Sequence, residues 1–299
     1  MILLDGREYV KEKYKLLESR IQKLSQKPKL VIFLIGSKSD SVLYTNMKLK
    51  KCEKLGLPAE RITYDSSEYE NKSTDEIQFL MEQITDRIRH LNSDRSVGGI
   101  MVQLPLPSVL RSYTQNLLDN IDIRKDVDGL TSHSLGLLSM GNPQFISSTP
   151  KGAINLVEHY QIDLKGKYVV VIGASSLVGV PLCLLLTQKG ATVTLCHIDT
   201  VDTKKHCTRA DMIFTCCGQG KMIKKTWIKE GASIVDIGIT VVESPFSPKK
   251  MVWGDCDFLD VKDKVKYITP VPGGIGPVTI YTLLEQLVTS GEKFYLNSK

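Results

Sequence analysis

Two periods of hydrophobic residues alternate along the first third of this chain. KLVIFLIG (29–36), ERITYDSS (60–67) and VGGIMVQLPLP (97–107) are short apolar or alternating runs bounded by Gly, Pro or Ser, and they read as strands. Between them the period lengthens to that of a helix. In SVLYTNMKLKKCEKLGL (41–57), Leu43, Met47, Cys52 and Leu55 recur at helical spacing while Lys48, Lys50, Lys51 and Lys54 take most of the remaining places, which predicts an amphipathic helix. In STDEIQFLMEQITDRIRHL (73–91), Ile77, Leu80, Met81, Ile84, Ile88 and Leu91 share one face, and Ser73 with Glu76 forms a candidate capping box. Strand, helix and strand in turn imply a mostly parallel sheet with right-handed crossovers.

From 108 to 148 the pattern weakens: SYTQNLLDNI (112–121) reads as a short helix, whereas RKDVDGLTSHSLGLL (124–138) carries no period, and DVDG by itself reads as a turn. A second block opens at Thr149, expected as the N-cap of TPKGAINLVEHYQ (149–161) with Pro150 at its first position. KYVVVIGASSLVGVPLCLLLTQKG (167–190) continues as strand, glycine turn and helix, and ATVTLCH, ADMIFTCCG and ASIVDIGI supply three more strands. Gly173 and Gly179 flank a turn of the dinucleotide-binding kind, although its spacing is not GxGxxG. PVPGGIGP (270–277) predicts an extended, closely packed loop, with a helical stripe after Pro277 formed by Val278, Tyr281, Thr282, Leu284, Leu287 and Val288. The expected fold class is α/β with two domains: residues 1–148 plus 277–299 as one, and 149–276 as a Rossmann-like dinucleotide-binding domain.

Composition narrows the function classes. The chain has 299 residues, 42% hydrophobic and 24% charged, which suits two ordinary globular domains. A net charge of +6, spread along helices, is weak evidence for nucleic acid and is compatible with a small acidic substrate. Seven cysteines show no CxxC or His-Cys zinc spacing, so no metal is expected. The opening MILLDGREYVKEKYK has too short an apolar run for a signal peptide or a membrane span, which leaves a reducing cytoplasm as the expected compartment.

Two features break the bland pattern. Tyr44 and Lys48 stand four residues apart, so a ring and an amine share a helix face. Gln103 is the lone amide in an apolar strand stopped by Pro105 and Pro107, and a buried amide needs a partner.

Together with KDVDGLTS, GASSLVGVP, GASIVDIGI and ITPVPGGIGPVT, these stretches resemble, in order and over nearly the whole chain, the methylenetetrahydrofolate dehydrogenase/cyclohydrolase family. The resemblance implies a bifunctional enzyme that oxidises 5,10-methylenetetrahydrofolate with NAD(P)+ and hydrolyses the methenyl product to 10-formyltetrahydrofolate. It implies Lys48, Tyr44, Gln103 and Asp128 as catalytic residues, with Val102, Leu104, Pro272, Gly273, Gly274, Ile275 and Gly276 also lining the folate site. Gly173, Ala174, Ser175, Ser176, Ile198 and Ile239 are the implied dinucleotide contacts, the last helix is implied to return to the first domain, and a homodimer is the family habit. NADP is the family default, but Ala174 and Ile198 stand where NADP-specific members usually carry Arg and Ser, so weakened NADP selectivity and use of NAD are expected. Two alternatives remain open: a relative that keeps only the cyclohydrolase, and a shikimate-type dehydrogenase acting on another small acid.

Overall fold

A computed structural model describes residues 1–244 and 247–295. Its first half runs β1 (Ile2–Leu3), α1 (Gly6–Gln22), β2 (Lys29–Ile35), α2 (Ser39–Lys54), β3 (Ala59–Tyr64), α3 (Thr74–Ser93), β4 (Val97–Val102), α4 (Thr114–Leu118), α5 (Ser132–Ser139). The second continues α6 (Ser148–His159), β5 (Tyr168–Ile172), α7 (Gly179–Gln188), β6 (Thr192–Cys196), α8 (Thr203–Cys207), β7 (Met212–Thr215), β8 (Ser233–Asp236), the hairpin β9 (Thr240–Ser244) and β10 (Ser247–Trp253), α9 (Phe258–Val261), β11 (Tyr267–Ile268), α10 (Ile275–Tyr295).

Contacts divide the chain into two compact units, Lys15–Ile146 with Leu283–Lys299, and Met1–Tyr14 with Ser147–Thr282. Residues 296–299, expected in the first domain, lie outside the described residues. The N-terminal segment departs from the expected boundary. Residues 1–14 group with the second half because β1 lies parallel to β11 and the Asp5 amide donates to Tyr160 Oη at 2.9 Å.

The unit built on Lys15–Ile146 holds a three-stranded parallel sheet in the order β3-β2-β4. Every residue of β4 and all but the first of β2 are buried, as expected for a parallel sheet covered on both faces. The predicted stripe of α3 packs on it through Leu80, Met81, Ile84, Ile88 and Leu91, with Ile77 partly buried. Gly98 and Gly99 explain themselves here. A Cβ at 98 would lie 2.2 Å from Pro28 Cβ, and one at 99 would lie 2.6 Å from Val127 Cγ2 and 2.9 Å from Leu287 Cδ1. The second part of α10 therefore sits directly on β4, as a returning last helix requires. Ser290 Oγ donates to Gly98 O at 2.7 Å, and Arg20 holds Glu292 and Thr289 at 2.7 and 2.8 Å.

The other unit holds a six-stranded sheet, parallel throughout, in the order β1-β11-β8-β7-β5-β6. That is the Rossmann-like layout expected from the strand spacing. Among the described residues no helix is long and apolar enough to cross a membrane.

Three local expectations are corrected. In α2 the inward face carries Ser41, Thr45, Lys48 and Cys52; of the predicted stripe Cys52 and Leu55 are buried, but Leu43 and Met47 are 57% and 44% exposed, so the first half of the stripe points out while the lysine points in. Helix α6 starts two residues early, at Ser148, so Thr149 is not its cap; Ser147 occupies that position and its hydroxyl donates instead to Leu177 O at 2.6 Å. Helix α10 starts at Ile275 rather than after Pro277, which lies in the first turn, where a missing N–H costs no intrahelical bond. Helices that periodicity did not signal include α1, whose Asp5 Oδ1 accepts from the Arg7 and Glu8 amides, α5, capped by Thr131 Oγ1 accepting from Ser134 N, and the short α9.

The capping box of α3 is complete, with Ser73 Oγ accepting from Glu76 N at 3.3 Å and Glu76 Oε2 accepting from Ser73 N at 2.9 Å. Ser73→Ala removes the first of these bonds, and urea unfolding is expected to register a loss of about 1 kcal/mol.

Candidate active site

Both units reverse their strand order at one point, and in open parallel sheets such a point leaves a crevice beyond the carboxyl ends of the strands. In the first unit the chain leaves β2 through α2 to β3 on one side, while β4 lies on the other. Gly36 makes the exit with φ 94°, and a Cβ there would press on Pro107 Cγ and Tyr69 Oη at 3.0 Å. One residue past β4, the Gln103 amide still donates to Phe33 O at 2.8 Å, which extends the ladder and fixes where its side chain starts.

Lys48, only 8% exposed, reaches across from α2, and its Nζ donates to Gln103 Oε1 at 2.9 Å. The amide is held in turn, since Gln103 Nε2 donates to Leu104 O at 3.0 Å, so its oxygen faces the amine. Burial pushes the Lys48 pKa below the ordinary lysine value, and the charge of Asp128 opposes that shift. Tyr44, half-buried one turn earlier, has its phenol pKa raised by burial and by Asp40, so its hydroxyl stays neutral. Val102 is buried beneath the amide and Leu104 half-buried beside it. Tyr44, Lys48, Gln103 and Asp128 are thus gathered in one unit.

Residues not foreseen hold Asp128 in place. Asp126, 1% exposed, accepts from Leu130 N at 3.1 Å, Thr131 N at 2.9 Å and Ser134 Oγ at 2.6 Å, folding the stretch after Asp128 back onto itself. Gln286 from α10 donates to Val127 O at 2.8 Å. The signal available was the first Asp of DVDG with Thr and Ser five and eight residues on; Gln286, remote in sequence, left none.

In the second unit, β5 lies between β6 and β7, and its exit is the predicted glycine turn. Gly173 has φ 113°, and a Cβ there would meet Cys216 O at 2.6 Å. A Cβ on Gly179 would lie 1.7 Å from Gly173 O, so α7 closes on the turn with no room to spare. Ala174, Ser175 and Ser176 are exposed, and their amides take no acceptor among the described residues. A tight turn with open amides at a helix start fits a pyrophosphate. Ile198, 94% exposed after β6, and Ile239, 40% exposed after β8, also lie beyond the carboxyl ends of their strands. Asp199 Oδ2 stands 3.6 Å from His197 Nδ1. In the predicted folate loop, Pro272 is exposed, Gly276 is half-buried, and Gly273, Gly274 and Ile275 are buried. Within this unit that loop packs against the start of α1, where a Cβ on Gly6 would fall 1.8 Å from Gly274 O.

Comparison with known proteins agrees with both halves. Residues 4–128 match the family described as tetrahydrofolate dehydrogenase/cyclohydrolase, catalytic domain, and residues 147–295 match its NAD(P)-binding domain. The chain belongs to the tetrahydrofolate dehydrogenase/cyclohydrolase family. The Bifunctional protein FolD of Caldanaerobacter subterraneus subsp. tengcongensis is 36% identical over 284 residues, covering 95% of this chain and 94% of that one. Among solved structures, the bifunctional FolD methylenetetrahydrofolate dehydrogenase/cyclohydrolase of Campylobacter jejuni superimposes with a TM-score of 0.86 at 37% identity, covering 98% of this chain and 99% of that one. The Trypanosoma brucei methylenetetrahydrofolate dehydrogenase-cyclohydrolase, solved with NADP and an inhibitor, superimposes at 0.88 with 29% identity over 98% of both chains. As a member of this family the chain is a bifunctional dehydrogenase and cyclohydrolase of one-carbon folates.

Gly179→Ala inserts a methyl group against the Gly173 carbonyl, and overpacking of this kind typically costs about 1–3 kcal/mol. Thermal unfolding is expected to show that loss, and titration with NAD(P) a weakened affinity.

Proposed function

We propose that the group of Lys48, Gln103, Asp128 and Tyr44 forms the folate site for both reactions, with Lys48 handling the proton of the hydrolytic one. The observation that carries this reading is the buried amine bonded to an amide oxygen within the field of a carboxylate. NAD(P), when bound, accepts the hydride of the first reaction. The chain's part there is orientation: Tyr44 offers a face for the flat folate ring, and Asp128 offers acceptor oxygens for its amino and ring N–H groups.

Hydrolysis needs more. Water adds to the methenyl carbon, losing one proton to a base, and the C–N5 bond then breaks to leave a formyl group on N10 and a proton on N5. An ordinary lysine, with pKa near 10.4, is charged at neutral pH and cannot take that proton. Burial lowers the Lys48 pKa, and the cationic methenyl substrate lowers it further. Gln103 Oε1, fixed at 2.9 Å, keeps Nζ aimed while the amine cycles between its two states.

Selectivity between cofactors turns on groups that the turn lacks. A guanidinium at 174 would add a charge-assisted bond to a 2′-phosphate, of the kind worth about 1.5–3 kcal/mol. Ala174 has none, Ile198 brings no hydroxyl, and Asp199 brings a negative charge to the same loop. NAD is accordingly accepted, with weakened preference for NADP. The reading also carries a cytoplasmic location, supported by seven free cysteines, and a homodimer.

Lys48→Gln is expected to abolish methenyl hydrolysis, followed by loss of its absorbance, while folate binding falls far less; equal loss of both would remove Lys48 from this role. Hydrolysis depends on the neutral amine, so its rate should climb with pH to a plateau. Because Asp128 holds the Lys48 pKa up, Asp128→Asn moves that climb to lower pH. Ala174→Arg should raise the NADP-over-NAD ratio of kcat/KM by roughly tenfold to a hundredfold, in line with the lost bond.

A further inference from the structure

Two carboxylates are buried beyond the carboxyl ends of β7 and β8, and among the described residues no cation pairs with either. Asp236 is 3% exposed and Asp255 0%. Asp236 Oδ1 accepts from the Gly238 and Asp255 amides at 3.1 and 3.0 Å, and its Oδ2 from the Cys256 amide at 2.8 Å. Asp255 Oδ2 accepts from Thr215 Oγ1 and Cys217 N, both at 2.8 Å, and from Gly218 N and Cys217 Sγ, both at 3.3 Å. Asp255 Oδ1 is buried with no hydrogen-bond partner.

The backbone is cut to seat this pair. A Cβ on Gly238 would lie 2.1 Å from Asp255 Oδ1, and one on Gly254 would lie 2.1 Å from Asp236 Oδ2. Through these bonds the carboxyls tie the loop after β7 to the loop after β8. The first of these abuts the glycine turn, where the Cys216 carbonyl fills the space of the missing Gly173 Cβ. The second leads directly into Ile239. None of the chemistry derived above uses either carboxyl.

We propose that Asp236 and Asp255 are positioning residues for the dinucleotide, clamping the 215–218 and 236–239 loops, and that repulsion between the two buried carboxyls loosens the clamp when Asp236 gives up its proton. The assignment rests on the reading of this unit as the NAD(P) site. Burial, then Asp255, raises the Asp236 pKa to about 7 against the pull of its backbone donors. The other titratable groups that face the pair are thiols: Cys216 and Cys217 after β7, raised to about 12 and about 11, and Cys256 after β10, raised well above the usual value. Their protons stay on across the neutral range. Just past β11, among the described residues, the pair meets the neutral hydroxyl of Thr269, which accepts from Asp236 N at 2.7 Å. Because the folded pKa of Asp236 is raised, its contribution to stability is full below the ordinary carboxylate range and is lost as pH climbs through about 7.

The test is the pH dependence of dinucleotide saturation at fixed, saturating methylene-folate. In the wild-type chain, KM for NAD(P)+ is expected to rise roughly fivefold from about pH 6 to about pH 8.5, with kcat changing much less. Asp255→Asn keeps an acceptor for Thr215, Cys217 and Gly218 and removes one charge, so the rise should flatten. A wild-type KM that is level across this range overturns the proposal, as does an Asp255→Asn profile that superimposes on the wild type. Should the variant fail to fold by circular dichroism, the wild-type profile alone decides. Failure to saturate at any pH strikes instead at the dinucleotide reading, whereas saturation with a pH-independent KM strikes at the carboxyl pair.

Discussion

An amine buried with one amide is an expensive arrangement, and much of the first unit is organised around tolerating it. Desolvation disfavours the Lys48 ammonium, and among the described residues Gln103 Oε1 and the field of Asp128 stand against that cost. Gln103 must then be fixed, which the ladder bond to Phe33 O and the contact to Leu104 O accomplish. Asp128 must be fixed as well, and Asp126 on one side of it and Gln286 below Val127 do so. Each of these supports is itself buried or bonded to backbone. The Lys48–Gln103 pair and the backbone on either side of Asp128 are therefore held by the protein's own hydrogen bonds.

The same topological constraint appears twice. In both units a central strand sends its helix to one side while the next strand pairs on the other, and a glycine with positive φ makes the exit: Gly36 in one, Gly173 in the other. Beyond the glycine the two units diverge. Gly36 opens into a long helix bearing Tyr44 and Lys48, while Gly173 opens into a tight turn with open amides. One geometry thus presents side chains beyond the sheet and the other presents backbone amides, the arrangement that in open α/β sheets receives an anion at a helix start.

Most of this was legible because parallel-sheet cores are apolar runs and α3 has a clean stripe ending in a capping box. Helix α2 was legible as a helix but its facing was not. Periodicity assigns Leu43 and Met47 to the core with Cys52 and Leu55, yet only the latter two are buried, and the face turned inward also carries Lys48. The four-residue spacing from Tyr44 marked Lys48 as unusual, and the family resemblance gave it a chemical role. Helix α1 was missed although Asp5 is a sound N-cap, since its apolar residues Tyr9, Val10 and Leu17 are diluted by charge. Strands of two residues, such as β1 and β11, fall below what any pattern can show, and with them went the placement of residues 1–14.

The two ends of the larger sheet handle charge in opposite ways. At the amino ends of β5 and β7, Asp211 accepts from the Tyr168 amide at 2.9 Å and from Lys229 Nζ at 2.7 Å, and those bonds hold its carboxyl below the usual range. That is a compensated surface pair whose worth is modest. At the carboxyl ends, Asp236 and Asp255 are sealed from water and lean on backbone amides and neutral side-chain donors. Stability by itself would favour the first arrangement or an apolar replacement. Uncompensated polar groups gather instead at the end where ligands bind in open α/β sheets, in this unit as around Lys48 in the other. Each carboxyl stands on a glycine that no other residue can replace without a clash, so the backbone is shaped around the charge and the destabilising groups sit where binding can make use of them.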